Sequence, residues 1–207
     1  MEPSHFFEDA ARSCGYHYIA GLDEAGRGPL AGPVVASAVI LPRRFHLQGL
    51  NDSKILSEAQ REELFSEITN RATAWSLGCS TEQEIDTLNI LQATRLAFHR
   101  AVSTLSLTPD YLLVDALHIP DTMIPQRAIV KGDTLSLTIA AASIIAKVTR
   151  DRMMNEFHER FPQYQFHIHK GYPTPQHLRL LTQHGPCEIH RQTFRPVQVS
   201  QIGQTTS

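Results

Sequence analysis

The sequence predicts a mixed α/β domain, and three observations carry that prediction. Apolar runs of strand length recur at residues 18–24, 33–41, 74–80, 111–115 and 128–131. Helical periodicity fills most of the remainder and gathers toward the C-terminal half. Of 207 residues, 42% are hydrophobic, enough to bury one substantial core.

Each element has a local reason. Residues 18–24 and 33–41 read as two strands joined by a glycine loop, an antiparallel pair. Ser57-Glu58-Ala59-Gln60 is a capping box that opens a helix to about Asn70. A third strand spans 74–80, followed by a short helix from Thr81 and a longer one over 88–105. Pro109 breaks that helix before Tyr111-Leu112-Leu113-Val114-Asp115, a buried-type strand ending in an acid. The fifth strand, 128–131, runs into Gly132-Asp133. A long helix over 135–161 is Ala-rich at first and charged later, and Pro162 ends it. A last helix spans 175–184 and stops at Gly185-Pro186. The organisation expected is an N-terminal extension (1–15), one catalytic-sized domain (16–197) and an uncharged Gln/Ser/Thr-rich tail (198–207) expected to be disordered.

Bulk properties narrow the class. No apolar run reaches membrane-spanning length, and the N-terminus lacks the basic-then-apolar pattern of a secretion signal. Three scattered cysteines, Cys14, Cys79 and Cys187, suit a reducing compartment, so a cytoplasmic monomer with no membrane partner is the expectation. The net charge of −2 hides an uneven distribution. Residues 140–196 hold eight Lys/Arg against four Asp/Glu, and six of the eleven histidines. A positive face beside an acidic site fits a polyanion.

That acidic site centres on Asp23 and Glu24. Adjacent carboxylates at a strand end repel, and a hard divalent cation such as Mg²⁺ or Mn²⁺ relieves them. Gly26-Arg27-Gly28 follows at once, where glycines admit a close ligand and Arg27 can meet phosphate. Asp115 and Asp133 also sit at or just past strand ends, where ligand sites of open α/β sheets gather. Four carboxylates fit two cations and phosphodiester hydrolysis. One geometric difficulty arises: neighbours on a strand point to opposite faces. The backbone is therefore expected to leave the sheet at Glu24, or Glu24 to ligate differently from Asp23. The competing reading makes Asp115 and Asp133 ordinary loop acids. Asp151 is expected to pair with Lys147 one helical turn earlier.

At this point the chain resembles ribonuclease HII, the type 2 ribonuclease H of bacteria, over roughly residues 16–197. The resemblance rests on ordered motifs: GLDEAGRGPLAGPVV (21–35), DSK (52–54), LVD (113–115), KGD (131–133), AASIIAKVTRD (141–151), HKGYPT (169–174) and HRQTFRPV (190–197). It implies an RNase H-like fold and metal-dependent cleavage of RNA in RNA–DNA hybrids and of single ribonucleotides in duplex DNA. It further implies that Asp23, Glu24, Asp115 and Asp133 bind metal. By the same resemblance Gly26, Arg27 and Gly28 sense the ribose 2′-hydroxyl, and Tyr172 reads the sugar at the RNA-to-DNA step. Arg27, Lys54, Lys147 and Lys170 are candidate phosphate contacts, with Ser53 and Ser143 as hydrogen-bond donors. The chain departs from the family pattern at Ala116-Leu117-His118 and at Pro173.

Three rival readings are weaker. A zinc site would draw on His167, His169, His177, His184 and His190, but no Cys–His finger spacing exists, and substrate-facing or surface histidines are expected instead. A dinucleotide fold fails on glycine spacing and on the acids beside the would-be pyrophosphate. A non-catalytic nucleic-acid-binding module stays open, and would need no divalent ion.

Overall fold

The computed structural model describes residues 3–50, 53 and 56–202. Its centre is a five-stranded sheet of order β3-β2-β1-β4-β5. The strands are β1 (Ile19–Ala25), β2 (Val34–Ile40), β3 (Ala74–Ser80), β4 (Tyr111–Asp115) and β5 (Gln126–Ile129). The first three form an antiparallel meander, of which the β1–β2 pair was expected, and β4 and β5 run parallel to β1.

The helices are α1 (Phe6–Ser13), α2 (Glu58–Arg71), α3 (Glu82–Leu88), α4 (Ile90–Ser103), α5 (Leu137–Arg160), α6 (Phe166–His169), α7 (Pro175–His184) and α8 (Arg195–Ile202). One face of the sheet is closed by α4, whose Ala93, Ala97, Phe98 and Ala101 meet Leu22, Ala36 and Val114. The other face is closed by α5, itself covered by α2, so residues 138–146 are buried all round. The small residues of that helix allow a near approach. A Cβ on Gly21 of β1 would stand 2.2 Å from the Thr138 carbonyl carbon. The interface therefore admits only glycine at that point.

Three expectations change. The N-terminal extension contains α1, which docks on the body through buried Glu8: its Oε1 accepts from Ser136 Oγ at 2.7 Å, Thr138 N at 2.9 Å and Thr138 Oγ1 at 2.7 Å. The fifth strand lies two residues earlier than expected, because Lys131 adopts φ 57° and turns the chain out of the ladder. The tail expected to be disordered from residue 198 is helical through Ile202. Val197 of α8 is fully buried with Leu30 and Leu181, so packing supplies what composition did not. Residues 203–207 lie outside the described residues.

Candidate active site

Parallel pairing builds the site. The register Leu22↔Val114 makes Asp23 and Asp115 the next residues along two adjacent strands, both at their C-terminal ends. Asp23 and Gly21 share the α5 side of β1, and Ser143 of α5 hydrogen-bonds the Asp23 carboxylate. Asp115 Oδ1 accepts from Gly132 N at 2.6 Å, which anchors the 3-10 turn Gly132–Thr134 carrying Asp133.

Of the two ways out of the strand-face difficulty, the first fails: the backbone does not leave the sheet at Glu24, since Ala25 still pairs with Val35. Asp23 Oδ1 bends back to accept from Glu24 N at 2.7 Å, and Glu24 reaches the same cavity at the strand end. That cavity, about 600 Å³, is lined by Asp23, Glu24, Gly26, Arg27, Gly28, Ser53, Arg61, Asp115, Ser143, Lys147 and Tyr172, with Ala25. Ten of the residues singled out from sequence therefore meet at one place. Three do not line it. Asp133 is buried outside the lining, Lys170 donates from its Nζ to Asn155 Oδ1, and Lys54 falls outside the described residues.

The electrostatics are strained in one direction. Burial, then the charges of Glu24 and Asp115, push the Asp23 carboxyl well above the usual range, against hydrogen bonds from Ser143 and the Glu24 amide. Burial also raises Glu24, offset by Arg27 at 3.2 Å and reinforced by Asp115. Among the described residues, Glu24 Oε2 is buried without any hydrogen-bond partner. These hard oxygen donors fit a divalent cation in kind, and the orphaned oxygen is a natural ligand atom. As they stand, each acid is partly held by a protein donor, and among the described residues no three His, Cys, Asp or Glu already form a closed metal group. Lys147 makes the expected pair with Asp151 at 2.7 Å, and Arg61 Nη2 approaches the same carboxylate at 3.9 Å.

Two buried arginines escaped the sequence reading. Arg150 donates to the carbonyls of Pro33, Lys170 and Ala31 at 3.0, 3.0 and 3.1 Å, with its guanidinium 5.9 Å from the Tyr172 ring centre. Arg191 donates five hydrogen bonds into residues 26–32. Their only sequence signal was membership of the 141–151 and 190–197 motifs. The histidine expectation also fails in part. His169, His177 and His190 are neither surface nor substrate-facing but buried, the first two stacked at 4.2 Å and the last two linked Nε2 to Nε2 at 3.1 Å. Residues 166–169 are helical, so His167 and His169 do not share a strand face.

Comparison with known proteins supplies the family. The family model for ribonuclease HII matches residues 20–197. A ribonuclease HII of Bacillus thuringiensis (strain Al Hakam) is 56% identical over 191 residues, covering 92% of this chain and 74% of that protein. The crystal structure of ribonuclease H2 from Pyrococcus horikoshii OT3 superposes with a TM-score of 0.78 at 27% identity, over 92% of this chain and 100% of that one. RNase HII in the PCNA:RNase HII complex of Archaeoglobus fulgidus gives 0.67 at 28% identity, over 80% and 85%. The strand order, the acid-lined cleft and these likenesses converge: this chain belongs to the ribonuclease HII family and is a ribonuclease H-type hydrolase.

Proposed function

We propose that this enzyme cuts the RNA strand of RNA–DNA hybrids and single ribonucleotides embedded in duplex DNA, at the phosphodiester 5′ to the ribonucleotide. The observation that carries the reading is one cleft in which Asp23, Glu24 and Asp115 stand opposite a glycine loop and Tyr172. Asp23, Glu24 and Asp115 would hold divalent cations, with Asp133 as the fourth acid. When bound, Mn²⁺ or Mg²⁺, two per site, would neutralise phosphate charge and lower the pKa of an attacking water.

The chain's own residues do the rest. Ser143 fixes the Asp23 carboxylate and is itself held by buried Ser53 at 3.0 Å. Arg27, exposed at the rim, exchanges its Glu24 contact for a substrate phosphate, a fork that suits phosphate geometry. Lys147 and Arg61 add positive charge to the cleft wall. The loop backbone lies close to the Tyr172 ring: a Cβ on Gly28 would sit 3.6 Å from Cε1. A sugar caught between them presents its 2′ position to peptide groups, and that hydroxyl separates RNA from DNA. Water attacks in line, leaving a 3′-hydroxyl and a 5′-phosphate without a covalent enzyme intermediate.

The test is an end-labelled duplex carrying one ribonucleotide, resolved on a denaturing gel. Cleavage is expected with Mn²⁺ or Mg²⁺, none with EDTA, and none of an all-DNA duplex. Asp115→Asn is expected to bind without turnover. Equal cutting of the all-DNA duplex would refute the 2′-hydroxyl reading, and binding without any divalent-dependent cleavage would favour a non-catalytic module.

A further inference from the structure

We propose that Arg191 is the positioning residue of ribonucleotide selectivity, an internal guanidinium that shapes the residue 26–32 loop by drawing its carbonyls inward. The inference rests on the reading of this loop as the 2′-hydroxyl sensor, and it assigns a role to the HRQTFRPV segment.

The geometry is specific. Arg191 is fully buried. Its Nη2 donates to Gly26 O at 2.6 Å and to Gly32 O at 2.7 Å; its Nη1 donates to Arg27 O at 3.1 Å and to Pro29 O at 2.7 Å; its Nε donates to Gly32 O at 3.0 Å. The guanidinium thus spends its donors on four carbonyls of one short loop and none on a carboxylate. The Phe194 ring packs 5.1 Å from its centre. The backbone around it is pinned as well. Arg191 N donates to Leu30 O at 2.9 Å, Gly32 N donates to Ile189 O at 2.9 Å, and Ala31 bridges His190. Asp86 of α3 holds the far side through Gln192 N and Thr193 N.

The consequence follows from the planar trans peptide, in which C=O and N–H point in opposite directions. When the Gly26 and Arg27 carbonyls turn toward Arg191, the amides of Arg27 and Gly28 turn away from it. Those two residues are exposed and line the cleft, and their amides have no hydrogen-bond partner among the described residues. Gly26 sits at φ +100°, open to glycine but not to residues with a side chain, and a Cβ there would strike the Arg150 side chain at 2.2 Å. Remove the fork, and the peptide planes lose the reason for their orientation. Lysine cannot replace it, because three donors in a cone do not span four carbonyls.

The test compares binding of a one-ribonucleotide duplex with an all-DNA duplex by fluorescence anisotropy, using Ca²⁺ in place of Mn²⁺. For Arg191→Lys the preference for the ribonucleotide is expected to fall about tenfold, the worth of one or two net hydrogen bonds. Its all-DNA Kd should stay within about twofold of wild type, since non-specific affinity comes from phosphate contacts. A role in stability alone would reduce the active fraction and leave the ratio of the two affinities intact. Phe194→Leu, which removes the ring beside the guanidinium but no donor, is expected to lower the ratio partway. If Arg191→Lys does not give the wild-type circular dichroism spectrum, the Phe194→Leu ratio decides. A preference present in wild type and retained in the variants overturns the proposal alone. A wild type without preference removes the sensor reading, and this inference with it.

Discussion

Two clusters of buried charge flank the glycine loop, and they are built on opposite principles. At the ends of β1 and β4, carboxylates face carboxylates: Asp23 is raised by burial and by Glu24 and Asp115, and Glu24 Oε2 has no partner among the described residues. Across the loop, Arg150 and Arg191 are just as deeply buried, yet three and five hydrogen bonds to carbonyls satisfy them, and buried Glu82 adds negative charge nearby. An unsatisfied buried charge costs stability that a bound ligand can offset; a satisfied one is scaffold. The comparison separates a place that, in the proposed function, takes up cations from a place that shapes the chain.

The sharpest way to break this contrast is to neutralise one member on each side. Asp23→Asn is expected to lower cleavage of a ribonucleotide-bearing duplex by about 10³-fold or more, the scale on which removing one electrostatic group acts. In EDTA the same change is expected to raise the thermal midpoint by roughly 2–4 °C, because it relieves repulsion worth about 1 kcal/mol. Differential scanning fluorimetry with and without Mn²⁺ reads both halves: the wild type should gain more from the ion than the variant. A midpoint that falls in EDTA would mean that Asp23 is structural.

Arg150→Met makes the same kind of change, a lost charge, with the opposite sign. It leaves the carbonyls of Ala31, Pro33 and Lys170 without donors in a buried seam between the glycine loop and the Tyr172 loop. The expected cost is about 3 kcal/mol in urea denaturation, with divalent ions making no difference to it. A cost below about 1 kcal/mol would put those carbonyls within reach of water and dissolve the distinction between the two clusters.

The asymmetry also explains what could be read from the sequence. Asp23, Glu24 and Asp115 were legible because each closes an apolar run, and strand ends are where an open sheet collects ligands. The strands β1, β2 and β3 and the antiparallel pairing of the first two were legible from runs bounded by turn residues; the pairing of β3 was not. Arg150 and Arg191 were not, since a basic residue on a charged helix or in a polar segment reads as surface until tertiary packing supplies its acceptors. The same holds for His169, His177 and His190, which only the packing of α6 and α7 against the 187–190 turn brings together. The helix α8 was hidden by its polar composition, and β5 was misplaced by two residues because the left-handed backbone at Lys131 leaves no mark in hydrophobicity.

Those histidines offer the finest test, because they form a third kind of buried cluster, neither charged nor empty. Burial lowers His177 to about 4 and His190 to about 3, with His169 adding to the fall of the first and His177, then His169, to that of the second. The groups facing them are His169, the Cys187 thiol, the Tyr164 phenol and the Tyr172 carbonyl, and burial of the thiol and the phenol raises both, so none offers a compensating negative charge near neutrality. A histidine kept neutral in the fold takes up its proton later than in the unfolded chain. Stability is therefore complete above the ordinary value of 6.5 and declines as pH falls from there toward 4, where the folded form begins to protonate. The expected loss between pH 7.5 and pH 5 is about 2 kcal/mol for each of the two histidines, about 4 kcal/mol together, measured by urea denaturation at both values. In His177→Asn/His190→Asn the two curves should lie closer together, whatever the variant costs at pH 7.5. An equal loss in wild type and variant would assign acid sensitivity to other groups and leave this stack as simple packing beneath Tyr172.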